Sequence, residues 1–251
     1  MSTADRIPRI VHYCWFGRGE KSAKIRKCMK SWQKQMSGYR LIEWNEDNFD
    51  VNCNLYVKQA YEAKKYAFVS DYARLHALYH YGGIYMDTDV EVIRPLDRFL
   101  AHDAFSGFED EHFLQSGTMG ARSKHPWIKE LLDYYEGRSF LRVDGSYDTT
   151  TNTAVISEIC RRHGLELNGK RQVLANGVDF YPRCYFSPYD YINGGSYITE
   201  DSYTIHHFAQ SWLPAHVRLR GHLKRWTSKI VGPQNISKIR KLLSGRSSSD
   251  R

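Results

Sequence analysis

The amino-acid sequence predicts one enlarged α/β domain whose central sheet is mostly parallel and is flanked by helices on both faces. Its length of 251 residues lies near the upper end of a single domain of this class. β-branched and aromatic runs alternate with helical segments through the first hundred residues, as in parallel sheets. With 41% hydrophobic and 25% charged residues, the chain can bury a core, which excludes a disordered, collagen-like or disulfide-scaffold protein.

Three β-α units account for this pattern. We predict strands over residues 10–16 and 39–44, each followed by a helix, the second of them over residues 55–65. A third helix is predicted over 66–81, where Gly82 and Gly83 stop it, because glycine accepts the left-handed conformation beyond a helix end. An extended strand, IYMDTDVEVI, follows and ends at Pro95.

The second half of the body has shorter and more mixed signals. We expect a strand near residues 113–120, helices after Pro126 and over 153–162, and a final strand in the segment SYTIHHF. In sheets of this class, ligands bind beyond the carboxyl ends of the strands. The predicted site therefore lies where the early strands end.

Charge divides the chain into two predicted parts, a body over residues 1–216 and a basic tail over 217–251 that is disordered at its end. The net charge is +8, yet the tail alone holds ten lysines and arginines against one acid, so the body is near −1. The tail places leucine, isoleucine and tryptophan at a broadly helical period among these cations, which favours an amphipathic helix docked on an anionic membrane surface. A helix packed on the body is the alternative.

Other whole-chain features narrow the class further. No apolar run reaches the 18 or so residues that span a bilayer, and the start lacks the order of a signal peptide. The five cysteines are widely spaced without a CxxC pair, so we expect reduced thiols and neither a disulfide framework nor a zinc site. These features predict a cytoplasmic protein on the inner face of the cell membrane.

The central motif is Asp87-Thr88-Asp89. On an extended strand, residues two apart share a face, so the two carboxylates would project together. Such a pair suits Mg²⁺ or Mn²⁺, which bind through carboxylates and the phosphate oxygens of a substrate. An isolated D-x-D is weak as a signal, but this one follows a helix carrying Asp71 and Arg74 on one face and a double-glycine turn.

The whole string SDYARLHALYHYGGIYMDTD resembles glycosyltransferase family 32, the group with a DXD sugar-binding motif that includes capsular polysaccharide and mannosyltransferase-like enzymes. More distantly, it is similar to the glucosylating bacterial toxins. The segments IPRIVHYCWFG, WNEDNFD and SYTIHHFAQSW extend the resemblance. It implies a GT-A fold and metal-dependent, retaining transfer from a nucleotide-sugar donor to a glycan acceptor.

The resemblance also implies site residues. Trp15 matches the aromatic residue that stacks on the donor base, Asp87 contacts ribose and sugar, and Asp89 is the direct metal ligand. The implied donor-binding set is completed by Ser70, Asp71, Arg74, Tyr85, Ser211 and Trp212. Gln115 stands where relatives place a polar residue under the anomeric carbon, although asparagine is expected there, so it is a weak catalytic candidate beside Asp87 and Asp89.

His206 and His207 form the last predicted element of the site. Neighbours on a strand face opposite ways, so one histidine at most can reach the metal. The resemblance favours His206 as a metal ligand, and imidazole makes Mn²⁺ the preferred ion over Mg²⁺.

We therefore expect a hexosyltransferase that moves sugar from a UDP-linked donor to a lipid-linked acceptor in surface polysaccharide synthesis. Two other enzyme or binding functions stay open: a toxin-like transferase acting on a protein, and a non-catalytic module that binds nucleotide sugars. A nucleic-acid-binding protein that uses the basic tail is a third alternative, although a near-neutral body argues against nucleic acid as a partner.

Overall fold

A central sheet organises the computed structural model, which describes residues 7–190 and 195–208. The strands of the described part are β1 (Ile10–Cys14), β2 (Arg40–Trp44), β3 (Gly83–Met86), β4 (Val90–Val92), β5 (Ala104–Gly107), β6 (Thr118–Ala121), β7 (Gln172–Val173), β8 (Val178–Tyr181) and β9 (Thr204–His206). The helices are α1 (Ala23–Gln35), α2 (Leu55–Glu62), α3 (Tyr66–Tyr81), α4 (Pro126–Asp133), α5 (Asn152–Arg162) and α6 (Arg183–Phe186), with a 3₁₀ helix at Asp97–Ala101. The predictions for Ser211, Trp212 and the basic tail lie outside the described residues.

The main sheet has seven strands in the order β2-β1-β3-β6-β5-β8-β7. Strand β1 runs parallel to both β2 and β3, and β5 runs parallel to β8. Strands β6 and β7 run against their neighbours, so five of the seven strands point the same way. The predicted mixed α/β architecture with a mostly parallel sheet is confirmed.

The hydrophobic core lies on both faces of this sheet, because successive side chains of a strand point to opposite sides. In β3, Tyr85 joins the cluster that packs under α2, α3, α4 and α5. Its neighbours Ile84 and Met86 join the opposite cluster, which includes Trp32 of α1. Helices therefore cover both faces, as the alternation of strands and helices predicts.

The turn from α3 into β3 depends on its two glycines. Gly82 and Gly83 have φ angles of +65° and +116°, which side chains rarely adopt. A Cβ on Gly82 would lie 2.7 Å from the backbone nitrogen of Ser123, and one on Gly83 would lie 2.7 Å from the carbonyl oxygen of Ile10. The double glycine thus lets β3 lie directly beside β1, and α3 ends where predicted.

The expectation of one continuous strand through the D-x-D motif is wrong. Strand β3 ends at Met86, and the N–H of Val90 donates to the carbonyl oxygen of Asp87 at 3.0 Å, which closes a turn. Strand β4 then leaves the main sheet and pairs antiparallel with β9. Aspartate side chains favour such turns, so here turn geometry, not strand periodicity, sets the directions of the two carboxylates.

Among the described residues, no helix is long and apolar enough to cross a membrane. All five cysteines are free thiols.

Candidate active site

A cavity of about 530 Å³ opens at the edge of the sheet where β1 and β3 end. Helix α3 contributes one wall, the turn between β3 and β4 a second, and β9 a third. The structure brings eight of the predicted site residues to this cavity: Trp15, Ser70, Asp71, Arg74, Tyr85, Asp87, Asp89 and His206. The position agrees with ligand binding at the carboxyl ends of parallel strands.

Asp87, Asp89 and His206 form a cluster whose candidate ligand atoms all lie within 4.8 Å of one another. The Nε2 atom of His206 is 3.3 Å from Oδ1 of Asp89 and 3.9 Å from Oδ2 of Asp87. The cluster exists because β4 pairs with β9 and places Val90 opposite His206. Residues distant in sequence thereby meet at the D-x-D turn.

The second histidine faces the other way, as predicted for strand neighbours. The Nε2 atom of His207 is 2.8 Å from Oε2 of Glu91, on the opposite side of the small sheet. His206 is therefore the histidine beside the D-x-D carboxylates.

The cluster fits a divalent cation on three observations. Two carboxylates and one imidazole form a donor set suited to Mn²⁺ or a related ion. Within the described residues, the buried Nδ1 atom of His206 has no hydrogen-bond partner. A Cβ on Gly117 would lie 2.9 Å from that Nδ1 and 3.2 Å from Oδ2 of Asp87, so the glycine keeps the space between them clear.

The electrostatics of His206 reflect its acidic neighbours. Burial lowers the pKa of His206, but the Asp89 and Asp87 carboxylates outweigh it and raise that pKa to about 9. Without a metal, the imidazole is therefore protonated at neutral pH and pairs with the carboxylates. A cation that bound there would have to displace this proton, since only the neutral imidazole is a ligand.

A network around Arg74 braces the other side of Asp87; we call it the arginine network and define it as Asp71, Arg74, Tyr85, Asp87 and Ser116. Arg74 is only 5% exposed, donates to Oδ1 of Asp71 at 2.8 Å, and lies 3.4 Å from Oδ1 of Asp87. It also donates to the carbonyl oxygen and the hydroxyl of Ser116 at 2.9 and 3.0 Å.

The network fixes which oxygen of Asp87 faces His206. The Tyr85 hydroxyl donates to Oδ1 of Asp87 at 2.9 Å, and the Arg74 guanidinium lies 4.5 Å from the centre of the Tyr85 ring. Oδ1 is thus held by two neighbours, while Oδ2 is the oxygen nearer His206. Arg74 suits this position because its planar guanidinium can bond to several groups at once.

Burial also affects acids along the cavity. It raises the pKa of Asp71 to about 6, against the opposing effect of the Arg74 charge. It likewise raises the pKa of Glu109 to about 7, a shift that the positive charge of His206 opposes. Proton uptake at near-neutral pH is thus easier here than on the protein surface.

Trp15 lines the cavity directly after β1, half-buried. Its indole N–H donates to the carbonyl oxygen of Gly19 at 2.7 Å, and the Lys21 ammonium lies 5.1 Å from the ring centre. The hydrogen bond fixes the orientation of the indole plane, which is what stacking on a flat base requires.

Gln115 is the predicted site residue of the described part that does not line the cavity. Its side-chain oxygen accepts from the N–H of Thr118 at 2.7 Å, and its side-chain nitrogen donates to the carbonyl oxygen of Thr118. Ser116, its neighbour, reaches the cavity instead. The buried amide of Gln115 therefore stabilises the backbone at the start of β6.

Several residues of the site escaped the sequence analysis, chiefly Lys65, Glu109 and Asn152 of the cavity lining and Gly117 beside His206. Glu109 follows β5, and Asn152 opens α5, so both come from regions where the sequence signals are short and mixed. The threonine-rich run before Asn152 indicates a helix start, since Thr151 caps α5 by accepting from the N–H of Ala154. That signal locates the helix but does not reveal that it faces the cavity.

The sequence is also similar to those of known proteins. Residues 22–106 match the family described as "Glycosyltransferase sugar-binding region containing DXD motif". The matched segment runs from the start of α1 to β5, and so contains α3, the double-glycine turn and the D-x-D turn. It does not contain Trp15, Asn152 or His206.

Two curated relatives cover different shares of the chain. The chain is 26% identical over 228 residues to "Uncharacterized glycosyltransferase L373" of Acanthamoeba polyphaga mimivirus, over 85% of this chain and 86% of that protein. It is 25% identical over 146 residues to "Inositol phosphoceramide mannosyltransferase 1" of Schizosaccharomyces pombe, over 51% of this chain and 42% of that protein. The match to the yeast protein thus spans less than half of that protein's length.

One solved structure, titled "PaToxG Glycosyltransferase", is similar at a TM-score of 0.47 and 18% identity, over 63% of this chain and 69% of that one. The sequence matches confirm the resemblance to glycosyltransferases with a DXD sugar-binding region and support glycosyltransferase activity. The mixed α/β architecture agrees with the GT-A fold that the resemblance implies.

Proposed function

We propose that this protein is a metal-dependent, retaining glycosyltransferase that moves a hexose from a nucleotide-sugar donor, UDP-linked as first choice, to a glycan acceptor. The observation that carries the proposal is the Asp87, Asp89 and His206 cluster, placed beside the arginine network at the ends of β1 and β3. The retaining outcome is supported by the family resemblance.

The leaving group explains why such a site is needed. Breaking the bond from the anomeric carbon to a nucleoside diphosphate leaves negative charge on the phosphate. A divalent cation held by Asp89, Asp87 and His206 would supply Lewis-acid stabilisation of that charge, an effect worth several kcal/mol. Mn²⁺ is our preferred ion because the donor set includes an imidazole.

The chain's own residues would position the donor. Trp15 would stack on the base, and Asp71 and Ser70 would contact the sugar along α3. Arg74 and Tyr85 keep Asp87 turned so that Oδ2 faces the cluster. Because these groups are already paired in the free protein, little reorganisation would accompany donor binding.

The acceptor we propose is lipid-linked, in the synthesis of a surface glycan. The name of the fission yeast relative specifies mannosyl transfer to inositol phosphoceramide, which is a lipid. Such an acceptor would suit a protein whose residues 217–251 carry ten lysines and arginines, because each cation near an anionic leaflet contributes about 1 kcal/mol.

Donor screening tests the transferase proposal. UDP-, GDP- and ADP-linked sugars are incubated with the protein and Mn²⁺, and thermal shift and nucleotide release are recorded. We expect one donor class to raise the melting temperature and to be consumed, and EDTA to stop its consumption. Asp89→Ala should reduce turnover by about a thousandfold or more, since several kcal/mol of charge stabilisation is lost.

Asp133→Ala is the matched control, because Asp133 pairs with Lys129 on the exposed face of α4, away from the cavity. It should turn over donor like the wild type. Undiminished turnover in Asp89→Ala, or no donor bound by the wild type, would refute the proposal.

Membrane docking requires a separate test. The full chain is sedimented with vesicles of phosphatidylglycerol or of phosphatidylcholine at low and high salt. Docking through the tail predicts binding to the anionic vesicles alone, weakened by salt and by the double change Arg218→Glu and Lys224→Glu. Equal binding to both vesicle types would contradict it.

A further inference from the structure

Asn152 is a buried polar side chain that lines the cavity. It is the first residue of α5, is only 4% exposed, and lines the cavity. Its side-chain oxygen and nitrogen make no hydrogen bond of normal geometry within the described residues, although the amide lies near enough to Asp71 to stabilise that carboxylate. A buried amide whose hydrogen bonds are not made destabilises a protein. A ligand that bonded to this amide would remove that cost.

The surroundings of Asn152 indicate the chemistry of that ligand. Thr149, Thr151 and Thr153 line the same wall of the cavity. The amide is close enough to Asp71 to favour the charged form of that carboxyl. The wall therefore combines hydroxyls, one amide and one carboxyl, with both donors and acceptors available.

A neutral, hydroxyl-rich ligand suits this wall better than a phosphate group. The start of an eleven-residue helix favours anions, but the nearby Asp71 carboxylate repels them. Adjacent sugar hydroxyls both donate and accept, which matches the NH₂ group and the oxygen of an asparagine side chain. Asp71 also belongs to the arginine network, so this wall adjoins the Asp87 end of the metal cluster.

We propose that Asn152, at the start of α5, binds the hydroxyl groups of the transferred hexose and so contributes to the choice of sugar. The inference rests on the proposed function. It adds a contact that lies outside the matched family segment, which ends at residue 106. A site built to bond a hydroxyl rejects ligands that lack it, because the buried polar groups are then left unpaired.

Asn152→Ala tests the inference. Dissociation constants are measured with Mn²⁺ for the nucleotide sugar that the wild type binds best, among UDP-glucose, UDP-galactose, UDP-N-acetylglucosamine and GDP-mannose, and for its free nucleoside diphosphate. We expect the variant to bind the nucleotide sugar about tenfold more weakly, and the diphosphate within about twofold of the wild type. Asn152→Ser, which keeps one hydroxyl, should give an intermediate loss.

Sugar analogues sharpen the test. Donors that each lack one hydroxyl are compared on the wild type and on Asn152→Ala. The analogue without the contacted hydroxyl should bind both proteins equally, whereas the others should keep the tenfold difference, as coupling between two contacting groups requires.

Asn176→Ala is the matched control, because Asn176 also has a buried side-chain oxygen without a partner but does not line the cavity. It should bind both ligands like the wild type. Unchanged nucleotide-sugar binding in Asn152→Ala, or an equal loss for the diphosphate, would overturn the inference while leaving the transferase proposal standing. Failure of the wild type to bind any nucleotide sugar would overturn both.

Discussion

The arginine network and the pair formed by His206 and Asn152 line the same cavity but differ in how their polar atoms are satisfied. In the network, Arg74 bonds or pairs with Asp71, Asp87 and Ser116. Within the described residues, Nδ1 of His206 has no hydrogen-bond partner, and the Asn152 amide makes no hydrogen bond of normal geometry. The network therefore maintains the shape of the cavity, whereas the Nδ1 atom of His206 and the Asn152 amide are available to ligands.

A second contrast, between two buried amides, leads to the same conclusion. Gln115 is 1% exposed and uses both ends of its amide on the backbone of Thr118. Asn152 is almost as buried, yet neither end of its amide makes a hydrogen bond of normal geometry within the described residues. Burial alone therefore does not distinguish a structural amide from a ligand-binding one, whereas hydrogen-bond satisfaction does.

Removing Arg74 should have the largest effect on stability. Arg74→Ala leaves the Asp71 and Asp87 carboxylates without their buried partner, and breaking such a pair costs about 3–5 kcal/mol. Urea denaturation measures the loss. Arg122→Ala, which removes an exposed pair with Asp103, should cost less than about 1 kcal/mol. Equal losses for the two variants would mean that the network does not maintain the cavity.

The titration of His206 should have the next largest effect on the free energy of unfolding. Its folded-state pKa is raised from 6.5 to about 9, so its contribution to stability is complete below pH 6.5 and is lost as the pH rises towards 9. In metal-free protein we expect a loss on the order of 3 kcal/mol across this window. His206→Gln should lack that part of the slope, and identical slopes in urea titrations would contradict the assignment.

Gln115→Ala should cost less stability than Arg74→Ala and should contrast with Asn152→Ala in donor binding. It strands the N–H and the carbonyl oxygen of Thr118, at a cost of about 1–3 kcal/mol in the free energy of unfolding. Donor binding should stay at the wild-type value, because the side chain does not line the cavity. A weakened donor affinity with unchanged stability would reverse the roles given to the two amides.

Much of the first hundred residues could be predicted from the sequence. Helix α3 spans Tyr66–Tyr81 as its apolar spacing indicates, and the double glycine ends it. The site residues that the resemblance identified on α3 and in the D-x-D turn do converge on one cavity. These features depend on local periodicity and turn chemistry, which neighbouring residues set among themselves.

The D-x-D turn itself marks where that reasoning fails. Alternating residues favour a strand, yet the hydrogen bond from Val90 to Asp87 and the pairing of β4 with β9 replace it by a turn. That pairing involves a strand from the far end of the described chain. No local pattern around Asp87 could reveal it.

The sequence by itself determined the alternation of strands and helices, the glycine turn, and the set of acids, arginine and histidine that could form a site. Only the tertiary structure decided that a turn directs the two D-x-D carboxylates, that Gln115 bonds to the backbone of Thr118, and that the Asn152 amide faces the cavity. The reason is that residue type fixes what a side chain can bond to. Which partners it meets depends on contacts between elements far apart in the chain.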